Sequence, residues 1–246
     1  MKARTRMTVL VLVLVLLVPA LQLDGDADLP SIEGPILEQF EFHLTWIGIR
    51  VGTGILELRR NGERRYFTSL ARSVDWVSRL YPVNNFAFTV MDDEGLPLHY
   101  RNMQSEGRYR SHKETIFEEG RVRHTDHTNG RSTQYVTDVR YHDVLSAFLT
   151  SRRVELVPGR SVFIDVFDDG KGKKVEIAVL RRETIDTAFG KTAAVVIEPR
   201  LDSDGLFRHT GPMRIWISED ERRLPLRLEA SVMLGAVRAS LVGGIF

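Results

Sequence analysis

The stretch that decides the fold is Phe40–Leu58, FEFHLTWIGIRVGTGILEL. Its first half alternates polar residues with the apolar residues Phe40, Phe42, Leu44 and Trp46. This period of two places the apolar side chains on one face of a half-buried strand. The glycines of GIRVG at 48–52 predict a turn or bulge, and alternation returns at 53–58. Asn61-Gly62 then predicts a tight hairpin turn before a third strand at 65–73, so the chain starts as an antiparallel meander.

The same alternation continues through most of the chain and predicts an all-β fold. Residues 98–137 supply four polar strands that can bury only one face. Two segments break the pattern: Asp75–Tyr81 predicts a short helix whose Trp76, Val77 and Leu80 cover an apolar surface, and Asp143 predicts the N-cap of a helix at 143–153. We therefore expect a curved antiparallel sheet of roughly a dozen strands that closes into an open β-barrel or roll, with two short helices.

The domain organisation follows from these elements. The pattern predicts one β-rich domain at 39–246, with sub-halves at about 39–140 and 154–246 joined by the second helix. Before it, a basic start, an apolar run at 7–18 and small residues ending at Ala20 predict a signal peptide at 1–20 that engages the export machinery. An acidic lead at 21–38 follows and is expected to be flexible. We expect a periplasmic protein, or a membrane-tethered one where the segment is not cleaved.

Composition excludes several kinds of function. The 246 residues contain no cysteine, which removes thiol catalysis, zinc-thiolate sites and the lipidated cysteine of a lipoprotein. Loss of three of the 34 basic residues with the signal peptide leaves 31 against 33 acidic ones, a balance that gives no support to a nucleic-acid or anionic-membrane role.

Several segments together resemble an exported bacterial family. They are WIGIRVGTGILEL at 46–58, the helix at 76–81, DVLSAF at 143–148, FGKTAAVVIEP at 189–199 and IWISEDERRLPLRLEA at 215–230. The family is domain-of-unknown-function family number 3108. The resemblance covers nearly the whole chain after the signal peptide and implies an exported β-rich envelope protein. It brings no catalytic residues with it.

Searches for catalytic and metal-binding motifs find little. The sequence lacks the nucleophile elbow G-x-S-x-G, the zinc motif H-E-x-x-H, a P-loop and an EF-hand, so we expect no cofactor and assign no catalytic residue. The best metal candidate is His124-Thr125-Asp126-His127, with His112 and His142 nearby. On a strand, His127 would point away from His124 and Asp126, so we assign no metal site.

Acidic and basic residues are more consistent with surface structure than with catalysis. Acid pairs lie in turns, where carboxylates bond their own backbone: Asp92-Asp93-Glu94, Asp168-Asp169, Asp202 with Asp204, and Glu219-Asp220-Glu221. The arginines of the polar strands include Arg101, Arg108, Arg110, Arg121 and Arg123. Interleaved glutamates at 106, 114, 118 and 119 predict cross-strand ion pairs, although arginine forks also suit phosphate or carboxylate ligands.

Aromatic residues give the leading functional hypothesis. Five of them fall at the two predicted helices and the strands they would cover: Trp46, Trp76, Tyr81, Phe86 and Phe148. A curved sheet closed by helices can hold an apolar molecule between sheet and helix. We predict a non-enzymatic envelope protein whose ligand or partner is a lipid or another apolar envelope component. Two alternatives remain: a scaffold protein with a filled core, and an envelope hydrolase that uses cross-strand carboxylates.

Overall fold

The computed structural model describes residues 32–200, 212–232 and 234–246. This part of the chain contains fourteen strands and two helices. The first eight strands are β1 Ile36–Trp46, β2 Ile49–Asn61, β3 Arg64–Ser73, β4 Val83–Met91, β5 Pro97–Glu106, β6 Tyr109–Glu118, β7 Arg121–Asp126 and β8 Arg131–Val136. The remaining six are β9 Ser161–Asp168, β10 Lys171–Thr187, β11 Gly190–Arg200, β12 Met213–Ser218, β13 Pro225–Ser231 and β14 Ala236–Ile245. The helices are α1 Asp75–Ser78 and α2 Val144–Arg153.

All fourteen strands form one antiparallel sheet in the order β8-β7-β6-β5-β4-β3-β2-β1-β14-β13-β12-β11-β10-β9. Neighbours along the chain pair with each other, except β8 and β9, and this gives a first run of strands, β1–β8, and a second run, β9–β14. Strand β1 pairs with β14 and joins the two runs. The edges are therefore β8 and β9, which follow each other in sequence and are linked by the segment that contains α2. The prediction of an all-β, curved antiparallel sheet in an open barrel or roll is confirmed, with fourteen described strands in place of about twelve.

The two ends of the sheet overlap rather than pair. Phe167, on the outer face of β9, lies against the rings of Phe117, His124 and Tyr135 on β6, β7 and β8, with centroid distances of 6.3, 6.2 and 5.3 Å. In addition, the main chain of His142 bonds to β9, through Asp165 and the amide of Phe167. The sheet is thus rolled so that its first run covers the outside of its last strand.

The inner face of the roll is filled with apolar side chains. Its largest fully buried residues include Phe40, Phe42, Leu44, Leu58 and Phe67. They come from the alternating positions of β1, β2 and β3, so the sequence pattern assigns their face correctly.

Helix α2 closes the roll from within and packs against β3, β4 and β9. Asp143 is its N-cap, as predicted: the carboxylate accepts hydrogen bonds from the amides of Leu145 and Ser146 at 2.7 and 3.1 Å. Ser146 completes a capping box by bonding the amide of Asp143. Leu145 and Leu149, one helical turn apart, are buried in the core.

Helix α1 differs from the prediction. Val77 packs against the core, but Trp76 and Leu80 are 49% and 81% exposed. The helix is a single turn of four residues, anchored by the bond from the amide of Val74 to the carbonyl of Val51. A single helical turn presents only one side chain, Val77, to the sheet. The prediction that Trp76, Val77 and Leu80 together cover an apolar surface is therefore wrong.

Some sequence predictions lie outside the described residues. They are the signal peptide at 1–20, most of the lead at 21–38, and the acid pair Asp202 and Asp204. Strand β1 already begins at Ile36, inside the predicted lead. Among the described residues, no helix is long and apolar enough to cross a membrane.

Candidate apolar binding site

A cavity of about 130 Å³ lies between α2 and the inner face of the sheet. The helix lines it with Val144, Leu145, Ala147, Phe148 and Ser151. The sheet lines it with Leu56, Ser69, Tyr100, Ile164, Val166, Asp168, Val175, Ile177, Pro199, Met213, Ile215 and Leu228. Both runs of the sheet therefore contribute to one apolar chamber.

Two small residues on α2 leave room for the cavity. Ala147 and Ser151 are four positions apart, so they lie one above the other on the same helix face. Phe148 beside them stacks on Phe67, with centroids 6.2 Å apart and planes within 9°. Large residues thus hold the helix against the sheet and line part of the cavity, while the small residues leave the space beside them.

Among the residues that the structure describes, Asp168 is the one acidic residue in the cavity wall. Period two along β9 places it on the same face as Ile164 and Val166. Burial raises the pKa of Asp168, and the neighbouring Asp169 carboxylate raises it further. Tyr100, also in the wall, is fully buried, and its hydroxyl pKa is raised by burial and by the nearby Asp168 and Asp143. The chamber is therefore apolar, with one carboxyl group and one tyrosine hydroxyl in its wall.

The five predicted site aromatics do not form one cluster. Phe148 lines the cavity. Trp46, at the end of β1, is 38% exposed and donates its Nε1 proton to the carbonyl of Leu234 at 2.7 Å. Trp76 is exposed on α1. Tyr81 packs against the turn at Gly107, where an added Cβ would lie 2.6 Å from its ring.

Phe86 falls on the outer face of the sheet because β4 directs Asn85, Ala87 and Thr89 inward. Its ring lies 5.9 Å from that of Phe88 on the same outer face. The presence of five aromatic residues in the sequence does not show which face of the sheet, or which end of the roll, each ring occupies. Strand parity could: the same alternation that identifies Ile164 and Val166 as inward-facing also assigns Asp168 to the cavity, a residue that the sequence analysis placed among turn acids.

A buried polar pair, Asn85 and Glu106, faces the inside of the roll. Glu106 is 3% exposed and accepts a hydrogen bond from Nδ2 of Asn85 at 2.8 Å. Burial raises the pKa of Glu106, and the bond from Asn85 only partly offsets this effect. The prediction that Glu106 belongs to the cross-strand ion pairs is wrong, because its position on β5 faces inward, away from the arginines.

This burial gives a pH-dependent prediction. Because the pKa of Glu106 is higher in the folded than in the unfolded chain, its contribution to stability is fully present below pH 4 and declines as pH rises through the folded-state pKa. We expect Glu106→Gln, which stays neutral, to gain stability relative to wild type as pH rises from 4 to 8. Urea unfolding of both proteins across this range measures the gap. A gap that stays constant or narrows would contradict the prediction.

The other polar strands carry the predicted ion pairs. Glu114 accepts hydrogen bonds from Arg101 at 2.8 Å, His99 at 2.7 Å and His127 at 3.0 Å. Burial would raise the pKa of Glu114, but these three donors lower it to about 2. Arg121 pairs with Glu118 on the neighbouring strand. Cross-strand pairing is confirmed at these positions.

The histidine segment is divided between the two faces. His124 faces inward and shares a hydrogen bond with the Thr115 hydroxyl at 3.0 Å, whereas His127 faces outward to Glu114. Within the described ranges, no three His, Asp or Glu side chains are placed to hold a metal ion.

The acidic turns that the structure describes form ion pairs with basic side chains that are distant in sequence. Arg140 pairs with Glu94 at 3.0 Å, and Arg182 pairs with Glu219 at 2.6 Å. Asp169 pairs with Lys113. These turn acids are neutralised by basic partners, in line with a surface role.

Comparison with known proteins identifies a family and a similar fold. A family model described as "Protein of unknown function (DUF3108)" matches residues 40–242, which confirms the resemblance seen in the sequence. No curated protein matches the chain. Among solved structures, a β-barrel-like protein of the unknown-function domain DUF1849 from Brucella abortus is similar with a TM-score of 0.56 at 11% identity, covering 86% of this chain and 98% of its own.

Two weaker structural similarities were also found. A candidate lipoprotein from Parabacteroides distasonis has a TM-score of 0.28 at 8% identity, with 88% of this chain and 97% of its own covered. A candidate exported protein with a YmcC-like fold from Bacteroides fragilis has a TM-score of 0.30 at 11% identity, with 87% and 97% covered. The fold alone is shared with the Brucella protein.

Proposed function

The chain belongs to the family of unknown function DUF3108, and from its own cavity we propose that it is a non-enzymatic binding protein of the cell envelope. Its ligand is the apolar part of an envelope molecule, such as the end of a lipid acyl chain, held between α2 and the sheet. The N-terminal pattern of the sequence supports export to the periplasm. The observation that carries the proposal is the apolar chamber that both runs of the sheet and α2 build together.

The size of the chamber limits what it can hold. A cavity of 130 Å³ is close to the apolar cavity of about 150 Å³ that accommodates benzene. It is smaller than the roughly 300–1,000 Å³ typical of sites that enclose a drug-sized molecule. We therefore propose that a few carbons at the end of a chain enter, while the rest of the ligand stays outside.

The small residues of α2 also favour a binding role over a filled core. Ala147 and Ser151 line the chamber, and a single large residue in place of Ala147 would fill much of it. A small side chain at this position, on a helix that otherwise packs large residues, leaves the space that a binding chamber requires.

The first experiment is lipid extraction and mass spectrometry of the protein purified under mild conditions from its native envelope. The proposal expects one acyl-bearing molecule per chain. Protein that is free of any apolar molecule would overturn it and favour the scaffold alternative, for which in vivo crosslinking would have to find a protein partner.

Filling the chamber tests the site itself. We expect Ala147→Phe to reduce the co-purifying ligand at least tenfold, because the new ring occupies the space that the apolar group needs. Arg153→Phe is the matched control, since it adds the same ring to an exposed position of α2. Thermal unfolding of both variants verifies that they fold. Equal ligand content in the two folded variants would place the ligand elsewhere.

A further inference from the structure

Exposed apolar side chains are gathered at one end of the roll. Antiparallel strands bring the β1–β2 turn, α1 and the β13–β14 turn to the same end of the sheet. The residues that we name the apolar rim are Trp46, Ile47, Ile49, Trp76, Leu80 and Leu234. Their exposed fractions range from 38% at Trp46 to 81% at Leu80. Single exposed apolar residues are common, but a group of six on adjoining turns indicates a contact surface.

Hydrogen bonds join these turns into a continuous surface. Nε1 of Trp46 donates to the carbonyl of Leu234 at 2.7 Å, which ties the β1–β2 turn to the β13–β14 turn. The amide of Val74 donates to the carbonyl of Val51 at 2.9 Å, which places α1 beside the start of β2. The rim is therefore one surface built from three neighbouring segments.

The backbone at Ile47 is strained. Ile47 and Gly48 have φ values of 50° and 75°, as in a type I′ turn that favours Asn-Gly. A β-branched residue in this left-handed conformation is a steric outlier. Ile47 is nevertheless 64% exposed, so packing against the core does not account for its presence. A contact between Ile47 and a binding partner of the protein would account for it.

The same end of the molecule is basic. Arg50, Arg79, Arg108 and Arg110 are exposed at the start of β2, in the segment after α1 and around the β5–β6 turn. Within the described part of the chain, no ion pair joins Arg50, Arg79 or Arg108 to an acid. The β5–β6 turn adjoins the α1 segment through the bond from the amide of Gly107 to the carbonyl of Pro82 at 2.6 Å. Cations thus flank the apolar rim.

We propose that the apolar rim docks on the surface of an anionic phospholipid bilayer. Tryptophan and aliphatic side chains on convex turns can enter the headgroup region, where an indole ring is favoured. The flanking arginines face lipid phosphates, each contributing attraction to an anionic surface. The overall charge balance of the chain is near neutral, but at this end four exposed arginines stand against the exposed Asp75 of α1.

Bromolipid quenching of tryptophan fluorescence tests the proposal on the full chain. The protein has three tryptophans: Trp46 and Trp76 in the rim, and Trp216, which is 4% exposed and serves as an internal reference. Vesicles contain phosphatidylcholine with brominated acyl chains, with or without 30% phosphatidylglycerol. Quenching depends on how close the tryptophans lie to the brominated chains. A protein that attaches to the vesicle only through the apolar run at 7–18 therefore shows no change in tryptophan fluorescence.

We expect quenching of the rim tryptophans on phosphatidylglycerol vesicles and much less on pure phosphatidylcholine. Arg79→Gln with Arg108→Gln should weaken binding roughly 30-fold, from about 1 kcal/mol per arginine. Leu80→Ser should weaken it on the order of tenfold.

The matched control for Leu80→Ser is Val136→Ser, an 86% exposed residue at the opposite end of the sheet. The proposal expects this control to bind like wild type. Unquenched rim tryptophans, quenching that is indifferent to phosphatidylglycerol, or equal losses in the Leu80 and Val136 variants would each overturn it. None of these outcomes depends on the cavity, so the proposed function is tested separately.

Discussion

Replacing Arg152 with methionine is expected to lower the free energy of unfolding by about 3–5 kcal/mol. Arg152 is 3% exposed in the last turn of α2 and bonds Glu38 on β1 through two nitrogens, at 2.8 and 3.4 Å. It also donates to the carbonyls of Arg222 and Arg223 at 3.2 and 2.8 Å. Its guanidinium lies 4.7 Å from the ring centre of Phe40. One side chain thus ties α2 to β1 and to the turn before β13.

The size of the effect follows from what the substitution leaves behind. Methionine fills a similar space but donates no hydrogen bond, so Glu38 and two carbonyls lose their partner in a poorly hydrated place. Lysine would keep the charge but not the planar fork that bonds Glu38 and the carbonyls together, so Arg152→Lys should also destabilise the fold.

The control for this prediction is the next residue on the same helix. Arg153 is exposed, and Arg153→Met should change stability by no more than about 0.5 kcal/mol. Chemical denaturation monitored by circular dichroism measures all three variants. Equal stabilities of the Arg152→Met and Arg153→Met proteins would contradict the assigned role of Arg152.

Local chemistry in the sequence was sufficient to predict the strands and α2. Alternation identifies β1 and β2 because polar and apolar residues at adjacent positions must face opposite sides of a sheet. Asp143 identifies the start of α2 because a carboxylate before an apolar helical repeat satisfies free amides of the first turn. Both signals are contained within a few neighbouring residues, so no knowledge of the tertiary fold is needed.

The packing of the sheet depends on contacts that no local pattern contains. Phe163 and Phe167 share the outer face of β9, yet Phe163 is 60% exposed and Phe167 only 1%. The difference arises because β6–β8 roll over one residue and not the other. The position of Phe86 on the outer face, and the separation of Trp76 from Phe148, depend on the same long-range arrangement. The candidate site could therefore be predicted only at Phe148.

The two ends of α2 have complementary roles in forming the chamber. Arg152 fixes the end near β1, and Asp143 fixes the end near β4 and β9. Between these anchors lie Ala147 and Ser151, the small residues that line the cavity. A helix held at both ends can leave apolar space in the middle without collapsing onto the sheet. Loss of either anchor should therefore affect stability and, under the proposed function, ligand retention as well.

The anchor at Asp143 gives the second large effect: we expect Asp143→Ala to destabilise the protein by about 2–4 kcal/mol. The substitution removes the N-cap, worth about 0.5–2 kcal/mol, and also leaves the buried Thr89 hydroxyl, which donates to Asp143 at 2.7 Å, without its acceptor. Asp143→Asn is the matched variant. Asparagine caps helices as well as aspartate does, and its amide can donate to the Thr89 hydroxyl, so it should recover most of the loss. Urea unfolding at pH 7 compares the free energies of unfolding of the two variants. If asparagine and alanine are equally destabilising, capping and the Thr89 hydrogen bond do not account for the conformation of α2.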